Sequence, residues 1–399
     1  MRILQVNVVC GIGSTGRIAT DIHAELLANG HESMIAFGRN DAKHCDNAYK
    51  IGVLKNILAD VAMTRLFDHH GAAGKQATLD FCRVLDQYRP DIVHLHNIHG
   101  YYLHVETLMK HLKKMNVPLV WTLHDCWSFT GHCAYFDSPK CDKWQTGCGN
   151  CPRKGDYPQS WLLDRSRKNL VEKKEWFSNF DHLTFITPST WLKNLVQRSY
   201  LKDYPVHVVP NGIDLDAFKP TSSSLRDKLN LRGKRVYLSV AMVWDARKGL
   251  RDLTDCAQEL REDETLILIG VSDKQIKQLP KNILGVKRTS SVQELAEYYS
   301  MADATLVPSY EDNYPTVVLE SLACHTRVVA YRTGGIPEMG DEPYVTLVDK
   351  GDREGLLREA RAIESFDWTM DAKKMDKKRA AQAILEIYQR LIKGERGEQ

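Results

Sequence analysis

Residues 3–38 have the sequence ILQVNVVCGIGSTGRIATDIHAELLANGHESMIAFG. A short apolar run, ILQVNVV, is followed by a glycine-rich loop, a helical stretch from Gly16 to Asn29 and a second apolar run, SMIAFG (33–38). Gly30, directly after the helical stretch, is a typical helix stop. The segment therefore predicts a strand–helix–strand unit of the kind found in parallel sheets.

The same alternation of apolar, β-branched runs and helical stretches continues along the whole chain. Near-continuous apolar strands that alternate with helices indicate parallel sheets covered on both faces. Two such series, one in each half, predict an α/β protein with two Rossmann-like domains. The further strand candidates are DIVHLH (91–96), PLVWTLH (118–124), HLTFITP (182–188), VHVVP (206–210), RVYLSVA (235–241), TLILIG (265–270), ILGVK (283–287), ATLVPS (304–309) and RVVAY (327–331).

The length of 399 residues exceeds what one hydrophobic core usually serves, so two domains are expected. We predict a first domain over residues 1–212, with a cysteine-rich insert at 126–158, and a second domain over 213–370. We predict a last helix over residues 371–399. Its broad apolar face, Ile384 to Ile392, is expected to be buried against another part of the protein.

Composition narrows the class of partner. The formal net charge of +3 is small for this length, which decides against a nucleic-acid partner. No apolar run approaches the roughly 18 residues that span a bilayer. The first run is short and leads into a glycine loop, so we interpret it as a strand rather than a signal peptide and expect a cytoplasmic protein. Ten cysteines in that compartment argue against a disulfide framework.

The loop Gly11-Ile12-Gly13-Ser14-Thr15-Gly16 has the spacing G-x-G-x-x-G between a strand and a helix. Glycines there let backbone N–H groups approach a phosphate at the positive end of a helix. A dinucleotide site also needs an acid at the end of the second strand, where the chain has Phe37-Gly38-Arg39. Arg39 could accept a 2′-phosphate. Three interpretations therefore stay open: an NADP site, a turn that serves another ligand, and a structural turn.

The second half carries charged pairs at strand ends. Arg247 and Lys248 open a predicted helix, where two cations suit a diphosphate, although a solvated basic turn is the alternative. Asp312 and Glu320 stand where the chain passes from a strand into a helix. Because Glu320 lies in the apolar run VVLESLA, an unpaired carboxylate would be costly there, and a ribose diol is a suitable partner. The alternative is a capping acid followed by a surface glutamate.

A further glycine turn, Thr333-Gly334-Gly335-Ile336, also stands at a strand end. Open α/β sheets bind ligands at the carboxyl ends of their strands. We therefore count Gly334 and Gly335 among the candidate ligand-binding residues.

Several motifs occur together in a fixed order: the first glycine loop, HLHN, TLHD, PNGID, RKGL, PSYEDNYPTVVLES and TGGIPE. This set resembles the family-4 group of retaining glycosyltransferases over essentially the whole chain. The resemblance implies the GT-B fold, with two facing Rossmann-like domains, an interdomain cleft and a last helix that crosses back to the first domain. It also implies that the second domain holds a UDP- or GDP-sugar and the first domain an acceptor.

The resemblance gives roles to individual residues. Lys248 would bind the diphosphate, Glu320 would bind the ribose, and His124 in TLHD would line the reaction centre. Gly13 and Gly16 would lie near the diphosphate and the acceptor. The remaining strand-end histidines are interpreted as structural residues; they are His94 and His96.

Two positions depart from the family pattern. Asp312 stands where the family has the first glutamate of its paired carboxylates, which leaves the contact with the donor sugar in doubt. Ala241-Met242 replaces the Gly-Arg before the lysine motif, and Arg247 could supply the missing charge. We predict a catalytic set of His124, Asp312 and Lys248, and a ligand-binding set of Gly13, Gly16, Arg247, Lys248, Glu320, Gly334 and Gly335.

The insert contains four closely spaced cysteines, Cys133, Cys141, Cys148 and Cys151. Four thiolates could surround one Zn²⁺ tetrahedrally, so we predict a structural zinc site. Free thiols and a disulfide are the alternatives.

The predicted activity is retaining transfer of a sugar to a glycan or lipid-linked glycan, in surface polysaccharide biosynthesis. Cations would replace a catalytic metal, and we interpret Asp214-Leu215-Asp216 as a linker rather than a metal site. An NADP-dependent oxidoreductase and an inactive nucleotide- or glycan-binding relative are the alternatives. The stretch Leu54–Leu66 (LKNILADVAMTRL) could contact the inner face of a membrane, although we favour an ordinary amphipathic helix.

Overall fold

A computed structural model of the chain describes residues 1–138, 140–362 and 367–394. Pro139, residues 363–366 and residues 395–399 fall within the predicted insert, second domain and last helix, and they lie outside the described residues. The chain divides into two compact units. Unit 1 is Met1–Pro210 together with the segment from Ala380, and unit 2 is Asn211–Arg379.

Unit 1 is built on a seven-stranded sheet in the order β3-β2-β1-β4-β5-β6-β7, in which all neighbouring strands run parallel. The strands are β1 (Arg2–Asn7), β2 (Glu32–Phe37), β3 (Ala48–Lys50), β4 (Ile92–Leu95), β5 (Leu119–Thr122), β6 (Leu183–Thr187) and β7 (Val206–Val208). The helices are α1 (Gly13–Ala28), α2 (Leu54–Phe67), α3 (Lys75–Tyr88), α4 (Val105–Met115), α5 (Lys143–Thr146), α6 (Ser166–Phe177) and α7 (Thr190–Gln197).

Unit 2 has a six-stranded sheet in the order β10-β9-β8-β11-β12-β13, again parallel throughout. The strands are β8 (Arg235–Val240), β9 (Glu264–Ile269), β10 (Ile283–Val286), β11 (Ala304–Val307), β12 (Val328–Tyr331) and β13 (Val345–Val348). The helices are α8 (Leu225–Lys228), α9 (Leu250–Cys256), α10 (Asp273–Ile276), α11 (Val292–Met301), α12 (Thr316–Ala323) and α13 (Arg353–Arg361).

The last helix, α14 (Lys377–Ile392), follows a 3₁₀ turn at Ala372–Met375. Its apolar side packs into unit 1 against Ile3 of β1 and Ile22 of α1. The prediction that this helix returns to the first domain is confirmed, and its α-helical part begins at Lys377, later than residue 371. The buried side chains on this face are Ile384, Leu385, Ile387 and Tyr388.

Every run predicted as a strand is a strand, and the predicted α/β class with two parallel sheets is confirmed. Two strands were missed. β3 is three residues long and lies at an edge of the unit 1 sheet. β13 has two half-buried residues in its middle and lies at an edge of the unit 2 sheet. Edge strands need fewer apolar residues than central ones, because one side faces solvent or a loop. Among the described residues, no helix has both the length and the apolar character that a bilayer crossing requires.

Candidate active site

The sheet of unit 2 reverses its strand order between β8 and β11, because the chain builds outward from β8 to β9 and β10 and then from β11 to β12 and β13. In open parallel sheets, the crevice at the carboxyl ends of two such strands is the usual ligand site. The loops that leave β8 and β11 carry the residues that the sequence singled out. The topology therefore brings both charged motifs to one sheet edge.

Lys248 and Asp312 meet at this edge. Lys248 Nζ donates to Asp312 Oδ2 at 2.5 Å, and both side chains are largely buried. The loop of Lys248 is a 3₁₀ turn, Ala246–Lys248, capped by the carboxylate of Asp245, which accepts the Lys248 N–H. The structure thus joins two predicted catalytic residues in one ion pair.

Arg247 is tied to the same loop through backbone contacts. Its Nη1 donates to the carbonyl of Glu311 at 3.0 Å, and its own carbonyl accepts the Tyr310 N–H at 2.8 Å. Met242, which replaces the family arginine, is 70% exposed. Arg247 is therefore a second cation beside Asp312. It lies near the end of the loop that follows β8, whereas Met242, at the position of the family arginine, lies near the start of that loop.

The pKa of Asp312 shows which effect prevails at this edge. Burial acts to raise the pKa, but the charges of Lys248 and Arg247 and hydrogen bonds from Lys248 and Ser309 outweigh it. The pKa of Asp312 consequently lies below its ordinary value of 3.8. The carboxylate is ionised at neutral pH and fixes the ammonium group in place.

Glycines allow the loops at this edge to approach closely. Gly334 has φ +54°, and a Cβ on it would lie 1.6 Å from the carbonyl oxygen of Asp312. Gly335 N–H donates to the carbonyl of Asn313 at 2.9 Å. On the other side, a Cβ on Gly249 would lie 2.2 Å from the carbonyl oxygen of Pro308. These turns hold the loop of Asp312 from both neighbouring strands.

Glu320 lies within α12 and is buried. The hydroxyl of Tyr299 on α11 donates to Glu320 Oε2 at 3.0 Å. The carboxylate is therefore held by the protein itself, and a surface position for Glu320 is wrong. The buried carboxylate thus has a protein partner, and its role in binding a ribose stays a prediction.

In unit 1 the glycine loop leads directly into α1. Gly11 (φ +69°) and Gly13 (φ +66°) adopt left-handed conformations, and a Cβ on Gly11 would lie 2.1 Å from the carbonyl oxygen of Lys43. The Gly11 N–H donates to the carbonyl of Gly16 at 3.1 Å. The helix has no side-chain cap and no acid in its first turn, so its positive end is not compensated locally.

His124 ends a row of histidines that starts inside the unit 1 sheet. His96 Nδ1 lies 3.2 Å from His124 Nε2, and His96 Nε2 lies 3.1 Å from Gln5 Oε1. His94 Nε2 contacts Thr122 Oγ1 at 2.7 Å, and its Nδ1 contacts the hydroxyl of Tyr388 on α14. The structural role predicted for His94 and His96 fits these contacts.

Burial keeps this row uncharged. It lowers the pKa of His124 to about 4 and that of His94 to about 3, and it lowers the pKa of His96 well below 6.5. Gln5 Nε2 donates to the carbonyl of Ala19 at 3.0 Å, which turns Gln5 Oε1 towards His96. Nε2 of His96 then donates, its Nδ1 accepts from Nε2 of His124, and Nδ1 of neutral His124 is the unprotonated nitrogen.

Residues 15–217 match the family model described as Glycosyltransferase Family 4, which is more than half of the chain. Residues 234–365 match the model described as Glycosyl transferases group 1. The chain belongs to glycosyltransferase family 4. It is a glycosyltransferase that uses a nucleotide sugar, and this membership decides against the oxidoreductase alternative.

A relative of this glycosyltransferase is the Escherichia coli K12 protein named as the colanic acid biosynthesis glycosyl transferase WcaC, 26% identical over 354 residues and 85% of each chain. Among solved structures, sucrose-phosphate synthase of Thermosynechococcus elongatus has a TM-score of 0.72 at 19% identity, over 99% of this chain and 100% of that one. Anabaena HepE in complex with UDP-glucose has a TM-score of 0.63 at 16% identity, over 99% of both. These likenesses establish the GT-B fold class.

The glycosyltransferase also contains a buried cation that the sequence analysis missed. Nζ of Lys173 donates to the carbonyls of Trp127 and Thr130 at 2.7 and 3.0 Å and lies 3.6 Å from the ring centroid of Trp127. Burial lowers its pKa to about 7. The residue lies in SRKNLVEKKEWF, where five other charged residues face solvent or are half-buried. No pattern in that helix distinguishes the buried lysine from the rest.

The cysteine insert does not have the geometry of a zinc site. Cys133, Cys141, Cys148 and Cys151 line one pocket, but within the described residues no three His, Cys, Asp or Glu side chains are grouped so that they could hold a metal ion. The thiols of Cys133 and Cys151 instead share a hydrogen bond, and Cys148 Sγ accepts the Gly131 N–H at 3.3 Å. The thiols thus contact one another and the backbone, and the predicted structural zinc is not supported.

Asp214 of the Asp214-Leu215-Asp216 segment serves the backbone. One carboxylate oxygen accepts the N–H groups of Asp216 and Ala217 at 2.9 and 3.2 Å, and the other accepts from Lys377 Nζ at 2.7 Å. These contacts close the turn that begins unit 2, which is the linker role that the sequence predicted.

Proposed function

We propose that this glycosyltransferase transfers a sugar from a UDP- or GDP-sugar, with retention of anomeric configuration, to a glycan or lipid-linked glycan in surface polysaccharide biosynthesis. The observation that carries the proposal is the Lys248–Asp312 pair at the switch point of the unit 2 sheet, with the charge of Arg247 acting on the same carboxylate. The name of the Escherichia coli relative supports a polysaccharide, and the nucleotide bound to HepE makes UDP-glucose the first donor to test.

On the donor side, we assign residues 213–370 to the nucleotide sugar. Lys248 and Arg247 would bind the diphosphate and offset the negative charge that grows on it as the glycosidic phosphate bond breaks. The helix that follows, α9, has only seven residues, so its dipole adds little and the two cations carry most of this effect. Glu320 would accept from the ribose hydroxyls, and the turn of Gly334 and Gly335 would hold the loop around the donor sugar.

Asp312 would have an indirect part as well as its predicted contact with the sugar. Its ion pair restricts the ammonium group of Lys248 to one position before the donor arrives, so less conformational entropy is lost on binding. The shorter side chain, which left the role of this position in doubt, is thus compatible with a function in orienting the lysine.

On the acceptor side, we assign residues 1–212 to the glycan. Gly13 and Gly16 would shape the start of α1 for an anionic or hydroxyl group. His124, which burial keeps neutral, would lie near a sugar hydroxyl and the reacting carbon. Because the imidazole does not become charged at neutral pH, this role is positioning and polar stabilisation rather than proton storage.

No divalent metal is needed in this proposal, since the cations at the strand ends do the work that Mg²⁺ or Mn²⁺ does in other transferases. We place the reaction in the cytoplasm, where the ten cysteines, all free thiols in the structure, would remain reduced.

Thermal-shift screening of UDP-, GDP- and ADP-sugars tests the proposal first. The best donor is then incubated with and without acceptor, nucleotide release is measured, and the anomeric configuration of the product is read by NMR. We expect release that depends on Lys248 and a product of unchanged configuration. Stabilisation by a donor without any release would identify an inactive relative, and an inverted product would contradict retention.

A further inference from the structure

A buried carboxylate of unit 2 lies near the Lys248 loop and has no part in the proposed reaction. Asp252 is in the first turn of α9, three residues after Gly249, and its side chain is buried. An acid in the first turn of a helix usually serves the free N–H groups there. Here one carboxylate oxygen, Oδ2, accepts instead from the hydroxyls of Tyr310 at 2.8 Å and Tyr331 at 2.7 Å. Asp252 thus joins α9 to two tyrosines.

The two tyrosines belong to different parts of unit 2. Tyr331 is the last residue of β12 and is held in the sheet by its pairing with Val348 of β13. Tyr310 lies in the loop after β11, two residues before Asp312. The two rings meet edge to face, with their centroids 5.5 Å apart. Of the two hydroxyl contacts of Asp252, only the one with Tyr310 therefore reaches the loop of the candidate active site.

Tyr310 also contacts the loops on both sides of its own. Its N–H donates to the carbonyl of Arg247, in the loop after β8, at 2.8 Å. Its carbonyl accepts from the hydroxyl of Thr333, in the loop after β12, at 2.9 Å. The neighbouring loops thus hold the backbone of Tyr310, and α9 holds its side chain through Asp252. A residue fixed at both ends in this way sets the course of the chain that follows it, which is the chain of Asp312.

We propose that Asp252, acting through the hydroxyl of Tyr310, is a positioning residue for the loop of Asp312. That loop in turn fixes Lys248, because the carboxylate of Asp312 accepts from the ammonium group of Lys248. An ion pair orients a lysine for a ligand only if the carboxylate is itself held in place. The inference rests on the proposed function, since it takes Lys248 to bind the diphosphate of the donor.

The alternative is a buried polar network that only stabilises unit 2. Such a network would respond alike to the loss of either hydroxyl, because both donate to the same oxygen of Asp252 at nearly the same distance. The positioning role predicts unequal effects, because Tyr310 belongs to the site loop and Tyr331 to the sheet. Tyr331→Phe is therefore a matched control for Tyr310→Phe: each removes one hydroxyl and keeps the ring.

Titration of the full chain with UDP and GDP tests the inference. Tyr310→Phe should weaken binding of the preferred nucleotide about tenfold, which is less than the roughly 100-fold that a displacement of about 1 Å can cause, because the two backbone contacts of Tyr310 remain. Tyr331→Phe should bind like the unaltered protein, and the melting temperatures of the two variants should fall by similar amounts. Asp252→Asn keeps an acceptor oxygen in a side chain of the same shape and should retain most of the affinity. Asp252→Leu removes the acceptor and should lose affinity as Tyr310→Phe does.

A double variant shows whether Tyr310 acts through Lys248. In a Lys248→Ala background, Tyr310→Phe should reduce nucleotide affinity by less than about twofold, because the lysine that it positions is absent. Unchanged affinity in Tyr310→Phe, equal losses in Tyr310→Phe and Tyr331→Phe, or fully additive losses in the double variant would overturn the inference. The single variant Lys248→Ala separates this failure from that of the proposed function. If Lys248→Ala alone binds UDP and GDP normally, the diphosphate assignment is wrong and the inference with it; if it binds weakly, the three results above count against Asp252 and Tyr310 alone.

Discussion

Replacing Lys248 by alanine should weaken binding of the nucleoside diphosphate and slow turnover. In the structure Nζ of Lys248 lies 2.5 Å from Asp312 Oδ2, with 20% and 10% of the two side chains exposed. The substitution removes a cation from the proposed diphosphate site and leaves a buried carboxylate with Arg247 as its remaining neighbouring cation. Both changes act against an anionic ligand, one by lost attraction and one by uncompensated repulsion.

The expected size follows from the kind of contact. A hydrogen bond to a charged group contributes about 1.5–3 kcal/mol, which corresponds to a loss of about ten- to 150-fold in affinity for UDP or GDP. Titration calorimetry with the nucleotides measures this, and nucleotide release from the best donor gives the loss in turnover. The control is Lys281→Ala, which removes an exposed lysine of the same unit.

The variant should also change the response to acid. The pKa of Asp312 is lowered in the folded state, so its ion pair contributes stability above the unfolded value of about 3.8. That contribution is lost as pH falls through the still lower folded pKa. The gap in melting temperature between the unaltered protein and Lys248→Ala should therefore be present at pH 7 and shrink below pH 4. Affinity and turnover close to those of the unaltered protein would refute the assignment of the diphosphate to Lys248.

Three further predictions concern other parts of the molecule. His124→Ala should reduce turnover far more than nucleotide affinity. Because burial lowers the pKa of His124 to about 4, the unaltered protein should lose stability as pH falls below about 6.5, where the imidazole gains a proton in the unfolded chain but not in the folded one. Equal losses of turnover and affinity, or a flat stability profile from pH 7 to 4, would contradict this role. Activity should survive brief EDTA treatment, and activity restored only by Mn²⁺ would contradict the proposed reaction without a divalent metal. Elemental analysis of tag-free protein should find far less than one zinc per chain, and one zinc per chain would contradict the arrangement of the cysteines. Gly334→Ala should lower the melting temperature of unit 2 strongly, because the new Cβ would lie 1.6 Å from the Asp312 carbonyl oxygen. The matched control is Gly233→Ala, which has a similar positive φ and nothing within 4 Å of its Cβ, and it should cost only the roughly 1 kcal/mol of backbone strain. Equal effects of the two variants would mean that the Asp312 loop moves freely.

The sequence was sufficient to predict most strands of both sheets and the charged edge of unit 2, because the signals for them are local. Strands of a parallel sheet are apolar on both faces, so they stand out in the sequence, and the residues after them share one edge by topology. Lys248 and Asp312 could therefore be placed together without knowing any side-chain contact. Gly334 could be placed near them for the same reason.

The packing of the insert and of α2 could not be predicted because it depends on contacts between residues that are distant in sequence. Asp68 at the end of α2 accepts from His132 at 2.5 Å and from the N–H of Arg165 at 2.8 Å, so one carboxylate joins three segments. Lys173 is buried because two carbonyls of the loop after β5 face it. Cysteine spacing likewise predicted a zinc site, and only the three-dimensional placement of the thiols shows that they do not converge on a metal.

The histidine row connects the last helix to His124 in unit 1. Tyr388 of α14 contacts His94, whose ring centroid lies 4.1 Å from that of His96, and His96 in turn contacts His124. The burial that keeps these imidazoles neutral is provided in part by the helix itself, since its apolar side closes the cluster around Ile92 and Val120. Removing α14 would admit water to His94 and raise its pKa from about 3 towards the ordinary value of 6.5. The contacts of His96 and His94 therefore connect His124 to a helix that lies more than 250 residues away in the sequence.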